Sequence, residues 1–172
     1  LQECIEGLNI NPKGIYVDVT FGGGGHSKEI LKHLTTGKLY SFDRDSDVLE
    51  NLIEDDNFKL IQNNYKNIKR FLRLEGVKKV DGILADLGVS SHQFDVPERG
   101  FSFRFDAELD MRMNVSSELT ARSVLNEYSE GDLANVFFNY GEIRQSRKAA
   151  NLIVKYRQSE EIKTTSDLVD IL

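Results

Sequence analysis

The sequence predicts a doubly wound α/β fold that carries a helical appendage, and two patterns support this prediction. Between Gly14 and Leu87, short apolar runs alternate with helical stretches, which is typical of a βαβ series with a parallel sheet. After Leu87, a long aromatic segment leads into helical periodicity. A chain of 172 residues has room for one such core with a small appendage.

Four apolar runs are the predicted strands, and they occupy residues 15–19, 39–42, 58–61 and 80–85. Helices of about 8 to 12 residues fit between them. The apolar residues that share one face of the first and of the second of these helices are Ile30, Leu31 and Leu34, and Val48, Leu49 and Leu52. We therefore expect a parallel sheet covered by helices.

The second part of the chain begins with residues 88–114, which hold four phenylalanines without a clear period. A loop of this length is usually functional. Beyond it, the pairs of residues that predict helix N-caps are Ser129 with Asp132, and Thr164 with Asp167. We place a boundary near Asp106, so that residues 1–105 form the core and residues 106–172 form a helical insert.

Composition limits the class of protein. Apolar residues make up 40% of the chain and charged residues 29%, which is ordinary for a globular fold. No stretch approaches the ~20 apolar residues that a membrane span needs, and no secretory signal is visible. A single cysteine cannot form an internal disulfide. We expect a globular protein of the reducing cytoplasm, with no membrane partner.

The net charge of −6 argues mildly against a nucleic-acid partner, because phosphate binding depends on lysine and arginine. Two local clusters of basic residues act in the opposite direction. Their members are Lys66, Lys69, Arg70, Arg73, Lys78 and Lys79, and Arg144, Arg147, Lys148, Lys155 and Arg157. Each cluster is either a phosphate-binding patch or a solvated helix face.

A glycine turn, residues 22–25, follows the first predicted strand and opens a helix. In such a turn the backbone approaches a ligand closely, and the helix N-terminus presents unpaired N–H groups. A Walker loop is excluded because no Gly-Lys-Ser or Gly-Lys-Thr closes the turn. The strict dinucleotide pattern also fails, since Ser27 stands where its third glycine or alanine belongs. A ligand site is predicted, with a simple tight connection as the alternative.

Two acidic residues accompany this turn. Asp43 ends the second strand about 20 residues further on, where a carboxylate can accept hydrogen bonds from both hydroxyls of a ribose. A solvated helix cap is the alternative for Asp43. Asp18 lies inside the apolar first strand and needs a polar partner. That partner is either the ammonium group of a ligand such as S-adenosylmethionine or the amides of the loop.

The fourth strand ends at Asp86, and Ser90, Ser91 and Gln93 follow it. Ligands of open α/β sheets bind outside the carboxyl ends of the strands. These side chains offer donors and acceptors for the Watson–Crick edge of a nucleobase, although a polar turn with helix capping is the alternative. The histidines show no zinc spacing, and no Gly-x-Ser-x-Gly elbow accompanies the serines. We therefore predict no metal site and no hydrolase triad.

Four motifs in order, together with residues 140–142, resemble the MraW family of S-adenosylmethionine-dependent RNA methyltransferases. The motifs are residues 17–27, 86–93, 99–103 and 109–113. The resemblance covers essentially the whole chain, and Ile143 departs from the charged residue expected there. It implies the first four parallel strands of a Rossmann-like class I methyltransferase sheet, with a small helical insert domain.

The resemblance also implies a reaction, which is methyl transfer from S-adenosylmethionine to the exocyclic N4 amine of a cytidine in small-subunit ribosomal RNA. Gly24, Gly25 and His26 would hold the methionine part of the cofactor, and Asp43 the ribose. Tyr65 would lie beside the adenine, with a core aromatic as its alternative. Asp86 and Gln93 would close the cofactor site near the reacting centre.

Positioning is the enzyme's main task in such an in-line transfer, so no strong nucleophile is required. Asp86 or the Ser90 hydroxyl would accept the proton that the amine releases. The segment from Arg99 to Phe105 suits stacking and phosphate contacts with single-stranded RNA. The predicted RNA contacts are Ser91, Arg99, Phe101, Phe103 and Arg112. In the alternative, the phenylalanines only anchor the insert.

The chain ends at Leu172 in what is predicted to be the start of a helix, whereas chains of the resembling family continue and complete the sheet. We therefore expect a truncated chain with an unprotected fourth strand, which indicates a fragment, a disordered remainder or a swapped homodimer. Two other functions stay open. An NAD-dependent oxidoreductase would share the glycine turn and Asp43 but leaves residues 90–103 unexplained. A noncatalytic RNA-binding or adenosine-sensing module would need neither Asp86 nor Gln93.

Overall fold

The computed structural model of the protein describes residues 1–172 and divides into two compact units. The first unit is Leu1–Gly88 and the second is Val89–Leu172. None of the helices is long and apolar enough to cross a membrane.

The first unit contains one sheet of four parallel strands in the order β3-β2-β1-β4. The strands are β1 (Ile15–Asp18), β2 (Lys38–Asp43), β3 (Phe58–Gln62) and β4 (Gly82–Leu84). Each begins within two residues of its predicted start. The predicted α/β class and parallel sheet are therefore confirmed, and the arrangement is consistent with a Rossmann-like methyltransferase sheet.

Helices of the first unit are α1 (Gln2–Leu8), α2 (Gly25–His33) and α3 (Ile68–Leu74). The prediction of a full helix after β2 was wrong, because only a short 3-10 turn forms there, at Asp47–Asn51. Leu49 and Leu52 are half-exposed rather than packed against the sheet. Residues 54–57, which are three acids and an asparagine, favour turns, since Asp and Asn side chains bond to nearby backbone N–H groups.

Two apolar clusters cover the two faces of this sheet. The first consists of Ile5, Tyr16, Ile30, Leu34, Leu39 and Leu84, and the second of Val17, Val19, Tyr40, Phe42, Ile61 and Leu72. Neighbouring strand residues such as Tyr16 and Val17 belong to different clusters because successive side chains point to opposite faces. The sheet is therefore buried on both sides, as a doubly wound fold requires.

The strand order reverses beside β1. The chain moves outward from β1 through β2 to β3 and then crosses back to place β4 on the other side of β1. In such sheets a crevice opens at the carboxyl ends of the strands at this reversal. The segments that follow Asp18 and Leu84 lie at this crevice.

The second unit is helical. It contains α4 (Ser91–Asp95), a 3-10 turn (Pro97–Arg99), α5 (Ala121–Glu127), α6 (Glu130–Asn139), α7 (Ser146–Tyr156) and α8 (Thr165–Ile171). Its core consists of Leu109, Leu125, Leu133, Ala134, Ala150, Ile153 and Ile162. The predicted caps of α6 and α8 are confirmed, because Ser129 and Thr164 accept hydrogen bonds from the backbone N–H groups of Asp132 and Asp167.

The division between the units differs from the predicted boundary near Asp106. Residues 89–106 belong to the helical unit because their backbone bonds to it. The Thr165 hydroxyl donates to the Phe105 carbonyl at 2.7 Å, and the Met111 N–H donates to the Arg99 carbonyl at 3.0 Å. The division therefore coincides with the change of sequence pattern after Leu87 and not with the boundary placed near Asp106.

Candidate functional site

The glycine turn connects the carboxyl end of β1 to the start of α2. Gly24 has a φ of +75°, and a Cβ atom there would lie 3.1 Å from the Phe21 ring, so this position requires glycine. No side chain caps the N-terminus of α2, and Gly23 and Gly25 are exposed to open space. The start of α2 therefore offers uncapped N–H groups to an anionic ligand.

Asp18 is fully buried beneath this turn and is engaged by the chain itself. One carboxylate oxygen accepts hydrogen bonds from the Thr20 N–H at 3.0 Å and from the Thr20 hydroxyl at 3.3 Å. The other oxygen accepts from the Ser27 hydroxyl at 2.7 Å, and Ser27 lies 2.8 Å from the Ser41 hydroxyl. This arrangement matches the loop-capping alternative. Direct contact of Asp18 with a ligand ammonium group stays a prediction that this geometry does not favour.

Burial raises the pKa of Asp18 above its ordinary value of 3.8, and the hydrogen bonds from Ser27 and Thr20 act in the opposite direction. Because the pKa is higher in the folded state, ionisation of Asp18 opposes folding. The protonated Asp18 carboxyl therefore contributes fully to stability below pH 3.8, and this contribution is lost as the pH rises through the folded-state pKa.

The substitution Asp18→Asn is expected to keep the fold. An asparagine oxygen can accept from the Thr20 N–H, while its amide donates to Ser27, whose own proton then turns towards Ser41. The free energy of unfolding at neutral pH should change by less than about 1 kcal/mol, and the loss of stability above pH 3.8 should shrink. Urea denaturation from pH 4 to pH 7 measures both. Asp18→Ala leaves the donors on Thr20 and Ser27 without an acceptor and should lower the free energy of unfolding by about 2 to 4 kcal/mol. An equal loss of stability in both variants would contradict this account.

Thr20 joins the turn to the end of β4. Its hydroxyl accepts a hydrogen bond from the Asp86 N–H at 2.8 Å while it donates to Asp18. The Asp86 side chain is 72% exposed, and its carboxylate lies 4.0 Å from His26 Nδ1. The His26 Nε2 atom is buried without a hydrogen-bond partner. Asp86 and His26 therefore lie close together at the crevice, and the Nε2 atom of His26 is left without a partner.

We expect Thr20→Val to lower the free energy of unfolding by about 1 kcal/mol, because it removes the hydroxyl that bonds Asp86 and Asp18 and keeps the branched shape. Thr20→Ser, which keeps the hydroxyl, should restore most of this loss. Chemical denaturation of the three proteins checks the expectation, and a serine variant as unstable as the valine variant would contradict it.

Asp43 lies at the carboxyl end of the neighbouring strand β2. One of its carboxylate oxygens accepts from the Gly22 N–H at 2.9 Å, and the other accepts from the Asp45 N–H at 3.0 Å. The side chain is partly exposed, and each oxygen keeps a further lone pair. Asp43 therefore shapes the glycine turn and remains able to accept hydrogen bonds from two hydroxyls.

Tyr65 begins the 3-10 turn that follows β3, and its side chain is 46% exposed. This exposure argues against the core-aromatic alternative. Since β3 is the neighbour of β2 in a parallel sheet, Tyr65 follows the same edge of the sheet as Asp43. It offers an exposed ring at that edge.

These residues fit an adenosine ligand with an amino acid end. Uncapped N–H groups at α2 suit a carboxylate, Asp43 suits ribose hydroxyls, and the Tyr65 ring suits a base. The unpartnered His26 Nε2 marks a polar position that a ligand can satisfy. The buried Asp18 supports the turn from below.

In the second unit, Ser90 and Gln93 form the capping box of α4. The Ser90 hydroxyl accepts from the Gln93 N–H at 3.2 Å, and the Gln93 side-chain oxygen accepts from the Ser90 N–H at 3.1 Å. Gln93 is buried, whereas Ser91 at the start of α4 is exposed. The polar-turn alternative describes these contacts, and roles for Ser90 in catalysis and Gln93 in cofactor binding stay predictions.

Two arginines predicted to contact RNA form hydrogen bonds within the loop around them. Arg99 is 5% exposed and donates to the Arg112 carbonyl at 2.9 Å. The Arg112 guanidinium bonds Asp110 and the carbonyls of Val115 and Ser117. Burial raises the pKa of Asp110, and the bonds from Arg112 outweigh it, so that the pKa lies below its ordinary value. Contacts of either arginine with RNA stay a prediction.

Gly100 allows this loop to close on itself. Its φ is +68°, and a Cβ there would overlap the Glu108 carbonyl oxygen. The phenylalanines beyond it differ in exposure, since Phe101 is partly buried and Phe103 is 84% exposed. Phe103 therefore does not anchor the unit, and it stays available for stacking.

Three residues around the glycine turn of the first unit were not predicted to be functional, namely Thr20, Ser27 and Ser41. Each is a hydroxyl-bearing residue in or beside an apolar strand or in the first turn of α2. A buried acid in the same strand needs such donors, so the position of Asp18 was the signal that could have identified them. Their pairing depends on the sheet register, which places Asp18 beside Ser41.

Comparisons with known proteins identify the family of this chain. The model of the MraW methylase family matches residues 1–172. A protein of Flavobacterium psychrophilum called ribosomal RNA small subunit methyltransferase H is 60% identical over 173 residues, which cover 100% of this chain and 60% of that protein. Proteins of the same name from Cytophaga hutchinsonii and Bacteroides thetaiotaomicron are 56% and 51% identical, and the matches cover 100% of this chain and 58% and 57% of theirs. The chain thus spans about three fifths of the length of these curated relatives.

Proposed function

The chain belongs to the MraW methylase family, and from this premise we propose that the protein transfers a methyl group from S-adenosylmethionine to the N4 amine of a cytidine in small-subunit ribosomal RNA. The observation that carries the proposal is the family match over residues 1–172, joined to a glycine turn, Asp43 and Asp86 around one crevice. We place this activity in the cytoplasm.

S-adenosylmethionine supplies an electrophilic methyl group on a sulfonium. Gly24, Gly25 and His26 bind its methionine end at the start of α2, where N–H groups are uncapped. Asp43 accepts hydrogen bonds from the ribose hydroxyls, and Tyr65 packs beside the adenine. Asp18 acts on the cofactor through the turn that it holds.

Asp86 receives the proton of the reaction. When bound, S-adenosylmethionine would supply its methyl carbon to the cytosine amine with its sulfur as the leaving group, and the methylated amine would give up one proton. The Asp86 carboxylate is exposed at the strand end and can accept that proton. Ser90 is the weaker candidate, because its hydroxyl already caps α4.

RNA contacts are proposed for the second unit. The exposed Phe103 stacks on a base, with the exposed Arg104 beside it and Ser91 as a polar contact. The hydrogen bonds of Arg99 and Arg112 keep this segment in shape, and RNA contacts of Phe101, Arg99 and Arg112 stay predictions. Pairing of two copies along the β4 edge stays a prediction.

A calorimetric titration with S-adenosylhomocysteine tests the cofactor assignment, with NAD as the competing ligand. Saturable binding that NAD does not displace is expected. Transfer of a labelled methyl group to small-subunit RNA tests the reaction itself. Binding of NAD alone would favour the oxidoreductase, and RNA binding without methyl transfer would favour a noncatalytic module.

A further inference from the structure

Helix α3 has two faces of opposite character. Ile68, Phe71 and Leu72 pack against the apolar cluster on one face of the sheet. At 3.6 residues per turn, Lys69, Arg70 and Arg73 lie together on the opposite face. All three are exposed. The solvent face of α3 therefore presents three positive charges, beside the exposed Leu74 at the end of the helix.

The flanking residues extend this positive face, which is here called the α3 basic surface. Its members are Lys66, Lys69, Arg70, Arg73, Lys78 and Lys79, and each of them is exposed. None of the six forms an ion pair within the chain. The one carboxylate among residues 66–79, that of Glu75, is bound by Lys59 at 2.6 Å. The surface thus carries six unpaired positive charges.

This charge distribution is unfavourable for the folded chain alone. Lys69 and Arg73 are four residues apart within α3, and like charges at that spacing destabilise a helix. The whole chain carries a net charge of −6, so the positive charge of the α3 basic surface is opposite in sign to that of the chain. An anionic partner that meets the surface would remove this repulsion.

We infer that the α3 basic surface binds the phosphate backbone of RNA. The choice of RNA rests on the proposed function, and the location supports it, because Lys66 directly follows Tyr65 at the carboxyl edge of the sheet. Phosphates spaced along a strand match a row of cations on one helix face, and such contacts position RNA without reading its sequence. The surface thereby holds RNA that flanks the target base.

The triple variant K69Q/R70Q/R73Q tests this inference. Glutamine keeps a long polar side chain and a good helix propensity. Fluorescence anisotropy with a labelled 30-nucleotide single-stranded RNA, at several KCl concentrations, gives the affinity and its salt dependence. Loss of three phosphate contacts should reduce the slope of log K against log salt by about 2, which corresponds to about 100-fold weaker binding at 0.1 M salt.

A matched triple variant controls for net charge. K13Q/K38Q/K163Q removes the same number of exposed cations outside the surface and should leave the slope unchanged. The charge-preserving variant K69R/R70K/R73K should keep both slope and affinity, and circular dichroism should show that all three variants fold. Equal losses in both glutamine triples, or no loss in either, would overturn the inference.

Two further measurements separate RNA binding by the α3 basic surface from lipid binding and from the proposed methyl transfer. Binding to phosphatidylserine vesicles that K69Q/R70Q/R73Q abolishes, with RNA binding unaffected, would assign the surface to lipid and overturn the proposal. Affinity for S-adenosylhomocysteine should not change in this variant. If the chain fails to bind that ligand but shows the expected RNA effect, the proposed function fails and the phosphate surface stands.

Discussion

Replacing Asp43 by alanine is expected to lower the affinity for S-adenosylhomocysteine at least about 100-fold. Each hydrogen bond from a ribose hydroxyl to a charged carboxylate contributes roughly 1.5–3 kcal/mol, and Asp43→Ala removes two of them. It also leaves the Gly22 and Asp45 N–H groups without their acceptor, which loosens the glycine turn. Isothermal calorimetry measures the dissociation constant directly.

Asp56→Ala is the matched control for this substitution, since Asp56 is an exposed carboxylate of the same unit outside the site. Its dissociation constant should equal that of the unsubstituted protein. Asp43→Asn keeps one acceptor and should fall between the two. A loss of affinity that merely follows a loss of stability, measured by urea denaturation, would show that Asp43 shapes the turn without contacting the ribose.

Asp86→Asn is expected to reduce turnover by about 100-fold or more while it changes the affinity for S-adenosylhomocysteine by less than about threefold. General-base catalysis typically contributes 10²–10⁴ in rate, and asparagine has the same size but cannot accept the proton. The backbone bond from Asp86 to Thr20 remains in the variant. Single-turnover methyl transfer to small-subunit RNA, at saturating cofactor, measures the chemical step.

Asp56→Asn provides the same chemical change at an exposed site and should leave turnover unaffected. Equal losses in turnover and in cofactor affinity for Asp86→Asn would assign Asp86 to cofactor binding alone. Ser90→Ala is a second comparison, because Ser90 caps α4. A larger loss of turnover in Ser90→Ala, without a loss of stability, would move the proton acceptor to Ser90.

The strands of this fold could be predicted because buried parallel strands are continuous apolar runs bounded by turn residues. The helix after β2 could not, since Leu49 and Leu52 have the right spacing but no apolar surface to cover. Their exposure follows from the early end of the 3-10 turn at Asn51. Helical spacing alone is therefore not sufficient where the chain turns immediately into the next strand.

The glycine turn and Asp18 were predictable because they adjoin in the sequence, and Asp43 because it ends the next strand about 20 residues further on. The hydrogen bonds that Ser90, Gln93, Arg99 and Arg112 form within the second unit could not be predicted in the same way. Ser90 and Gln93 fit a capping box three residues apart as well as they fit a base-binding pair, so the local bond competes with the functional one. Arg99 and Arg112 bond to backbone carbonyls that only the folded loop brings near.

The Thr20 hydroxyl donates a hydrogen bond to Asp18 and accepts one from the Asp86 N–H. One side chain therefore connects the glycine turn to the segment that follows β4. In thermodynamic terms, a ligand that orders the turn lowers the free energy needed to order Asp86, and a ligand at Asp86 does the same for the turn. Such coupling is reciprocal by necessity. Cofactor and target base should therefore each lower the dissociation constant of the other by one common factor.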